Sequence, residues 1–215
     1  NMELHQTEWG QELRPEDERP NHRLSGEYDA VFLCRSLDNM WTYGAARVDL
    51  FVRWGDLVDG WRPLFRRFGA RPLPLPIFHA YELLAKLGPE RLAVEGMRPG
   101  TPVRAFAARR GRGQAQVVLY YFDEADPRSA GHPLNVDVTI RGLAGSTAPV
   151  KIYRVDRDHA NAYRAWLGMG SPASPSAAEA AELTARAKVA AEIRMVRGEG
   201  GKMNLSLTLP PSGPA

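Results

Sequence analysis

The stretch Asn1-Met-Glu-Leu-His-Gln-Thr-Glu-Trp-Gly10 determines the fold class that we predict for the first half of the chain. Leu4, Gln6 and Glu8 share one face of an extended segment, because side chains alternate along a strand. The segment ends at Trp9-Gly10 and passes into a polar loop. A carboxylate at the carboxyl tip of a strand, beside a large aromatic ring, is typical of catalytic groups in an α/β barrel. On residue type alone, a solvated charge at a strand end is the more common alternative.

The composition indicates an ordinary globular protein, with 44% hydrophobic and 25% charged residues among 215. The 28 basic and 25 acidic residues are spread along the chain, which argues against a dedicated nucleic-acid binder. The single cysteine, Cys34, excludes an internal disulfide and a cysteine-rich metal site. No apolar run approaches the roughly 18 residues of a membrane span, so we expect a soluble protein. The sequence leaves open whether it is bacterial cytoplasmic, periplasmic or secreted.

Hydrophobic spacing in the first part of the chain predicts alternating strands and helices. Apolar side chains recur at helical intervals over residues 27–40, and Arg47–Trp54 is typical of a second strand. An irregular, proline-containing loop is expected from Arg62 to Pro76. A second helix follows from Ile77 and is stopped by Gly88-Pro89. The order strand, helix, strand, helix favours a parallel α/β arrangement.

Beyond Gly88 the hydrophobic period changes to that of strands. Residues 134–140 alternate strictly between apolar and polar side chains, as in a strand with one face in a core. Residues 203–209 repeat this alternation, and the Gly-rich link before them predicts a hairpin turn. Two short helices are expected at 160–169 and 176–189. The sequence therefore predicts a second domain built as an antiparallel β-sandwich with helical insertions.

Several stretches resemble glycoside hydrolase family 39, the retaining β-xylosidases and α-L-iduronidases. Thr7-Glu8-Trp9 is similar to the family's nucleophile motif at the end of the seventh barrel strand. Residues 54–59 and 76–81 are similar to the eighth-strand segment and to the start of the following helix. The most specific likeness is Asp156-Arg-Asp-His-Ala-Asn-Ala-Tyr-Arg-Ala-Trp166 with Met169-Gly-Ser-Pro172, which resembles a signature of the family's C-terminal β-sandwich. Together the matches extend over nearly the whole chain.

The resemblance implies two domains: residues 1–88 as the last two β/α units of a (β/α)8 TIM barrel, and residues 89–215 as a β-sandwich accessory domain. The acid/base glutamate of the family lies in an Asn-Glu-Pro motif, and no such motif occurs here. A retaining glycosidase needs two carboxylates about 5–5.5 Å apart, so we expect this chain alone to be inactive. The expected partners are therefore a missing N-terminal barrel segment or partner chain, and a homo-oligomer is a further option.

The resemblance assigns Glu8 as the catalytic nucleophile that forms a covalent glycosyl-enzyme intermediate. It also implies aromatic walls for a sugar ring and carboxylates that accept hydrogen bonds from sugar hydroxyls. These substrate-binding candidates are Trp9, Trp54, Asp56 and Asp59. No metal and no other cofactor is expected.

The function predicted from these residues is that of a retaining O-glycosyl hydrolase, exo-acting on a β-xyloside or a related glycoside. Gly10, Arg53 and Asp59 stand where relatives usually carry other residues, which leaves the identity of the sugar open. An inward Arg53 would favour an acidic sugar, and an outward arginine is the ordinary alternative. Two other functions remain: a non-catalytic carbohydrate-binding or structural module, and a hydrolase of the same fold that cuts another glycan, such as an exopolysaccharide.

Other polar groups have structural alternatives that we favour. Asp156, Asp158 and His159 could ligate a metal, but the same residues are typical of a turn that caps the following helix. The run Arg109–Arg112 could contact phosphate, and a solvated hairpin turn explains it without a ligand. We expect His79 to be a packing residue on the apolar face of its helix.

Overall fold

The computed structural model describes residues 4–6, 25–48, 58, 63–69, 71–98, 100–111, 113–122, 131–142 and 147–211. The chain forms two compact units, residues 1–82 with 155–188 and residues 83–154 with 189–215. The first break lies close to the expected boundary at Gly88. Residues 155–188 differ from the expectation, because they belong to the first unit and not to the sheets that flank them in sequence.

The first unit contains a β/α/β segment. Strand β1 (Leu4–Gln6) pairs in parallel with β2 (Ala45–Val48), and helix α1 (Glu27–Thr42) connects them. Helix α1 begins where the sequence predicts, and its buried apolar residues are Ala30 and Leu33. The parallel pairing follows the predicted alternation of strands and helices. Of the second strand expected at 47–54, the structure describes only the part up to Val48.

The loop expected from Arg62 to Pro76 contains a hairpin, so this part of the prediction is wrong. Strand β3 (Phe65–Phe68) pairs antiparallel with β4 (Arg71–Pro74). The backbone N–H of Leu75 points toward β3, where it donates to Leu64 O at 2.9 Å. Because residues alternate along a strand, the nitrogens of Pro72 and Pro74 point away from β3, and neither proline removes a hydrogen bond from the pair.

Among the described residues there are three further helices: α2 (Pro76–Leu84), α3 (Ala162–Gly168) and α4 (Ala177–Arg186). Ser176 and Glu179 form a capping box at the start of α4, in which each side chain bonds to the other residue's backbone N–H. Leu75, Tyr163 and Leu183 are almost completely buried in the first unit. Within the part of the chain that the structure describes, no helix combines the length and the apolar character that crossing a membrane requires.

The second unit consists of two antiparallel sheets. The three-stranded sheet has the order β5 (Glu90–Leu92), β6 (Val103–Arg109), β7 (Ala115–Tyr121). The four-stranded sheet has the order β8 (Leu134–Arg141), β11 (Lys202–Leu209), β10 (Ala191–Glu199), β9 (Thr147–Tyr153). Exposure alternates residue by residue along β8, as its sequence predicts. Strands β10 and β11 join through Gly200 and Gly201, whose φ angles of 57° and 73° suit a two-residue hairpin turn.

Candidate functional site

The five residues predicted to form the site lie outside the described residues: Glu8, Trp9, Trp54, Asp56 and Asp59. Neighbouring parts of the chain are described. Strand β1 ends at Gln6, shortly before Glu8, and Val58 lies between Asp56 and Asp59 in the sequence. The structure thus shows how the segments that lead to the candidate residues are held, and the placement of the five side chains stays a prediction.

The two strands that lead toward the candidate residues end side by side. Gln6 and Val48 are register partners in the parallel pair of β1 and β2. Parallel strands have their carboxyl ends at the same edge, and a helix that connects them runs in the opposite direction. The first residue of α1, Glu27, therefore belongs to that edge by topology. We call it the carboxyl edge.

Glu27 lies at the centre of a buried polar cluster, the Glu27 cluster, which consists of Glu27, Asn161 and Arg164. The side chain of Glu27 is only 2% exposed, and that of Arg164 is 17% exposed. Arg164 donates from Nη2 to Glu27 Oε1 at 2.6 Å and from Nε to Oε2 at 3.0 Å. Asn161 Nδ2 donates to the same Oε2 at 3.0 Å. The segment that was expected in the second domain is therefore joined to the start of α1.

Asn161 serves two elements at once. Its Oδ1 accepts a hydrogen bond from the backbone N–H of Arg164 at 3.1 Å, which makes it the N-cap of α3. Its Nδ2 also donates to the carbonyl of Asp156 at 3.1 Å. The amide is thus fully used in fixing α3 and the preceding turn to Glu27.

The charges within the Glu27 cluster stabilise one another. Burial alone would lower the pKa of the Arg164 guanidinium, but the hydrogen bonds and negative charge of Glu27 outweigh this effect, and the pKa is raised. The side chain therefore stays protonated at any pH at which the protein is folded. A planar guanidinium that donates to both oxygens of one carboxylate fixes distance and orientation together.

A second group of contacts, the aromatic cluster, joins α3 to the β3–β4 hairpin. It consists of Arg66, Phe68, Tyr163 and Trp166. The guanidinium carbon of Arg66 lies 5.4 Å from the centre of the Tyr163 ring, and the rings of Phe68 and Trp166 are 5.7 Å apart. Tyr163 is 1% exposed, and its burial raises the pKa of its phenol, an effect that Arg66 partly offsets.

The hairpin is in turn linked to Val58, which lies between the candidate residues Asp56 and Asp59 in the sequence. Val58 forms an isolated parallel bridge with Phe65, the first residue of β3. Phe65 also packs on Phe78 of α2, with ring centres 4.6 Å apart. Helix α3 thus contacts two elements, α1 through the Glu27 cluster and the hairpin through the aromatic cluster.

The turn before α3 has the contacts of a structural turn. Asp156 Oδ1 accepts hydrogen bonds from the backbone N–H groups of Asp158 and His159, both at 2.9 Å, and lies 2.8 Å from His159 Nδ1. The residue that caps α3 is Asn161, and Asp156 closes the turn before it. Among the described residues, no three or more side chains of His, Cys, Asp or Glu are grouped closely enough to hold a metal ion.

The arginines of the β6–β7 turn bind neighbouring protein groups. Arg109 forms an ion pair with Glu90, and Arg110 donates to the carbonyl of Leu87 at 2.8 Å. Gln116 donates to the carbonyl of Lys86 at 2.7 Å, so the chain that follows α2 is fixed by side chains from this hairpin. These contacts explain Arg109 and Arg110 without a phosphate ligand, and Arg112 lies outside the described residues.

His79 has the packing role that we expected from its helical position, and Cys34 also lies on a helix with its thiol buried. His79 is 4% exposed, and its Nδ1 lies 2.8 Å from Glu82 Oε2. Cys34 is half-buried as a residue, but its thiol is desolvated, and this burial together with the charge of Asp38 raises its pKa to about 12.

The Glu27 cluster is the polar constellation that sequence reasoning missed. Glu27 begins a helix, where an acidic residue is explained by the helix dipole alone. Arg164 follows Asn161 within the signature-like stretch, and nothing in the local pattern distinguishes it from a surface arginine. One signal could have indicated a pairing: Arg164 stands next to a large aromatic residue, Tyr163, on a short helix. In the structure Tyr163 is buried.

Comparison with known proteins gives a consistent result. A family model described as "Glycosyl hydrolases family 39" matches residues 4–204. The β-xylosidase of Caldicellulosiruptor saccharolyticus is 26% identical over 182 residues, which cover 80% of this chain and 35% of that protein.

Solved structures show the same fold. The GH39 enzyme from Xanthomonas axonopodis pv. citri matches 99% of this chain and 43% of its own, with a TM-score of 0.76 and 14% identity. A monomeric β-xylosidase from Caulobacter crescentus CB15 matches 98% of this chain and 44% of its own, with a TM-score of 0.75 and 17% identity. The chain thus spans less than half the length of each of these relatives.

Proposed function

The chain belongs to glycoside hydrolase family 39, and from this we propose that it is the C-terminal part of a retaining O-glycosyl hydrolase of the β-xylosidase type. In this proposal residues 1–88 form the last two β/α units of a TIM barrel. Residues 89–154 and 189–215 supply an accessory β-sandwich, and residues 155–188 belong to the first unit. The substrate is a glycoside with a terminal xylosyl or related residue.

The single observation that supports the proposal most is the pairing of Gln6 with Val48. In a parallel α/β barrel the catalytic groups follow the carboxyl ends of the strands. Glu8 follows the end of β1, and the segment that contains Trp54, Asp56 and Asp59 follows β2 in the sequence. This pairing supports a site in which the candidate residues come from neighbouring strands at one edge.

The proposed reaction has two steps. The Glu8 carboxylate attacks the anomeric carbon and forms a glycosyl ester, while an acid/base glutamate from outside this chain protonates the departing oxygen. Water then attacks the same carbon, the acid/base takes its proton, and the bond to Glu8 breaks. Two inversions leave the product with the configuration of the substrate.

The remaining candidates bind the sugar. Indole rings of Trp9 and Trp54 would pack on the C–H faces of the ring, and Asp56 and Asp59 would accept hydrogen bonds from hydroxyls. An N-terminal barrel segment, in the same polypeptide or on a partner chain, would complete the site. No step needs a metal or an organic cofactor.

The proposal is tested by the stereochemistry of hydrolysis. The full-length protein is incubated with an aryl β-xyloside in an NMR tube, and the anomeric signals of the first product are followed. Retention predicts β-xylose first, with the α-anomer appearing later by mutarotation. Glu8→Gln should lose about 10³-fold or more in kcat, whereas Glu95→Gln, at an exposed ion pair, should match the wild type.

Other outcomes favour the other functions. Hydrolysis of a different glycoside with retention would keep the mechanism and replace the substrate. Initial formation of the α-anomer would overturn the retaining mechanism. Binding of glycans without turnover by the full-length protein would favour a non-catalytic module.

A further inference from the structure

We propose that Arg164 is a positioning residue for the reaction proposed above: it acts through Glu27 to hold the carboxyl edge of the barrel in its catalytic geometry. This inference rests on the proposed function. It assigns a role in the reaction to residues that lie late in the sequence, in a segment expected to belong to the accessory domain.

The first argument is the geometry of the pair. Glu27 uses both carboxylate oxygens, and three donors converge on them, two from Arg164 and one from Asn161. With 2% exposure of the Glu27 side chain, no water competes for these positions. A bidentate pair of this kind allows little sliding or rotation, so α1 and α3 have one relative position.

The second argument is the place of Glu27 in the fold. It is the first residue of α1, and the chain between β1 and α1 contains Glu8. One end of this connection is fixed by the pairing of β1 with β2, and the other end is fixed by Glu27. A change at the Glu27 cluster would therefore move an end of the segment that holds the nucleophile.

The third argument is that α3 also contacts the β3–β4 hairpin. Trp166 packs on Phe68 of the hairpin, and the hairpin begins at Phe65, the bridge partner of Val58. Val58 is thus linked to α3 through the hairpin, and it lies between Asp56 and Asp59 in the sequence. One short helix therefore contacts both α1 and the hairpin.

Energetics favour a geometric role over a stabilising one. Burial of two charges costs desolvation energy, and replacement of a buried ion pair by well-packed apolar residues is often neutral or stabilising. Unlike an apolar contact, the ion pair fixes both the distance and the relative orientation of Glu27 and Arg164. Catalysis is sensitive to such placement, since a displacement of about 1 Å at the reacting groups costs about a hundredfold in rate.

The experiment compares kcat, KM and thermal unfolding for three variants of the full-length protein: Arg164→Lys, Glu27→Gln and Arg164→Ala. We expect kcat to fall about ten- to a hundredfold at temperatures where each variant is fully folded, with little change in KM. Lysine keeps the charge but cannot donate to both oxygens, and glutamine keeps the shape but loses the charge. Arg109→Lys and Arg109→Ala, at an exposed ion pair in the other unit, are the matched controls and should keep the wild-type kcat.

A rescue measurement separates positioning from general stability. Guanidinium at millimolar concentration should restore part of the kcat of Arg164→Ala, because it can occupy the vacated site and donate to Glu27. Sodium at equal ionic strength should have no effect. If Arg164→Ala does not fold, Arg164→Lys and Glu27→Gln still decide the question through kcat.

A wild-type kcat in the folded Arg164→Lys and Glu27→Gln variants would overturn the inference, even if both unfold at lower temperature. That result leaves the proposed function intact as long as Glu8→Gln is inactive. An active Glu8→Gln, by contrast, would remove the proposed function itself.

Discussion

The carboxylate of Glu27 and the guanidinium of Arg164 meet at 2.6 Å in a nearly closed environment, although 137 positions separate them in the chain. The pair joins the start of α1 to residues 155–188, which lie between strands β9 and β10 of the second unit in sequence but belong to the first unit.

Removal of one charge from the Glu27–Arg164 pair should destabilise the protein more than removal of both charges. Arg164→Met leaves the buried carboxylate of Glu27 without its cation and should lower the free energy of unfolding by about 3–5 kcal/mol. The double variant Glu27→Leu/Arg164→Met removes both charges and should regain most of that loss. Urea unfolding measures both. Equal losses in the single and double variants would contradict this expectation, and Arg109→Met, at an exposed pair, should cost at most about 1 kcal/mol.

Among the glycines that the structure describes, Gly88 makes the closest backbone approach at the position of a side chain. A Cβ at this position would lie 1.9 Å from the carbonyl oxygen of Arg109, and the Gly88 N–H donates to Gln116 Oε1 at 2.7 Å. Because backbone atoms would have to move, we expect Gly88→Ala to destabilise by about 1–3 kcal/mol. Gly168 has nothing within 4 Å of its virtual Cβ.

Gly168→Ala is therefore the matched control for Gly88→Ala. It should leave the stability unchanged or raise it by about 0.4–1 kcal/mol, since alanine restricts the unfolded chain. Thermal unfolding of the two variants in parallel decides this. A Gly88→Ala protein as stable as Gly168→Ala would contradict the close approach of Gly88 to the backbone of Arg109.

The capping box of α4 should appear in a titration. Hydrogen bonds from the backbone and hydroxyl of Ser176 hold the pKa of Glu179 below its usual 4.5. A lowered pKa in the folded state means that this contribution to stability is present above pH 4.5 and is lost as the pH falls through the folded pKa. Ser176→Ala keeps the backbone N–H, which is the larger cause, and removes the hydroxyl. The Glu179 pKa, followed by NMR, should therefore rise only part of the way to its usual value, and α4 should be destabilised by about 1 kcal/mol. An unchanged pKa in Ser176→Ala would contradict the contribution of the hydroxyl to this shift.

Cys34 offers a probe of the first unit. Its pKa of about 12 keeps the thiol protonated at pH 8, so iodoacetamide should label the native protein far more slowly than the unfolded one. A raised folded-state pKa contributes stability that is complete below the unfolded value near 9 and is lost as pH rises toward 12. The stability difference between wild type and Cys34→Ala should therefore shrink from pH 8 to pH 11. Rapid labelling of the native protein at pH 8 would contradict the burial of this thiol.

Helices and strands that turn one apolar face to a core could be predicted from the sequence. The alternation at 134–140 predicted β8 closely, and the apolar spacing after Glu27 predicted α1 from its first residue. In both cases the periodicity of the side chains is itself the cause of the structure. The Gly-rich link predicted the β10–β11 turn for the same reason, because its backbone needs positive φ.

Features that depend on distant contacts could not be predicted. The hairpin β3–β4 was missed because its prolines argue against a strand, and only the pairing shows that their nitrogens face outward. Residues 155–188 belong to the first unit and contact it over long sequence distances, as Arg164 does with Glu27, and no local pattern records such contacts. Glu8 and the other candidate site residues were identified by resemblance, and their geometry stays a prediction.

The central claim is that Glu8 is the nucleophile of a retaining glycosidase, and trapping the intermediate tests it most directly. The full-length protein is incubated with a 2-deoxy-2-fluoro-xylosyl inactivator, and the intact mass and peptide map are measured. We expect a mass increase of one fluoroxylosyl group on the peptide that contains Glu8, and none in Glu8→Gln. Labelling of a different carboxylate, or turnover of the xyloside without any trapped adduct on Glu8, would contradict the claim.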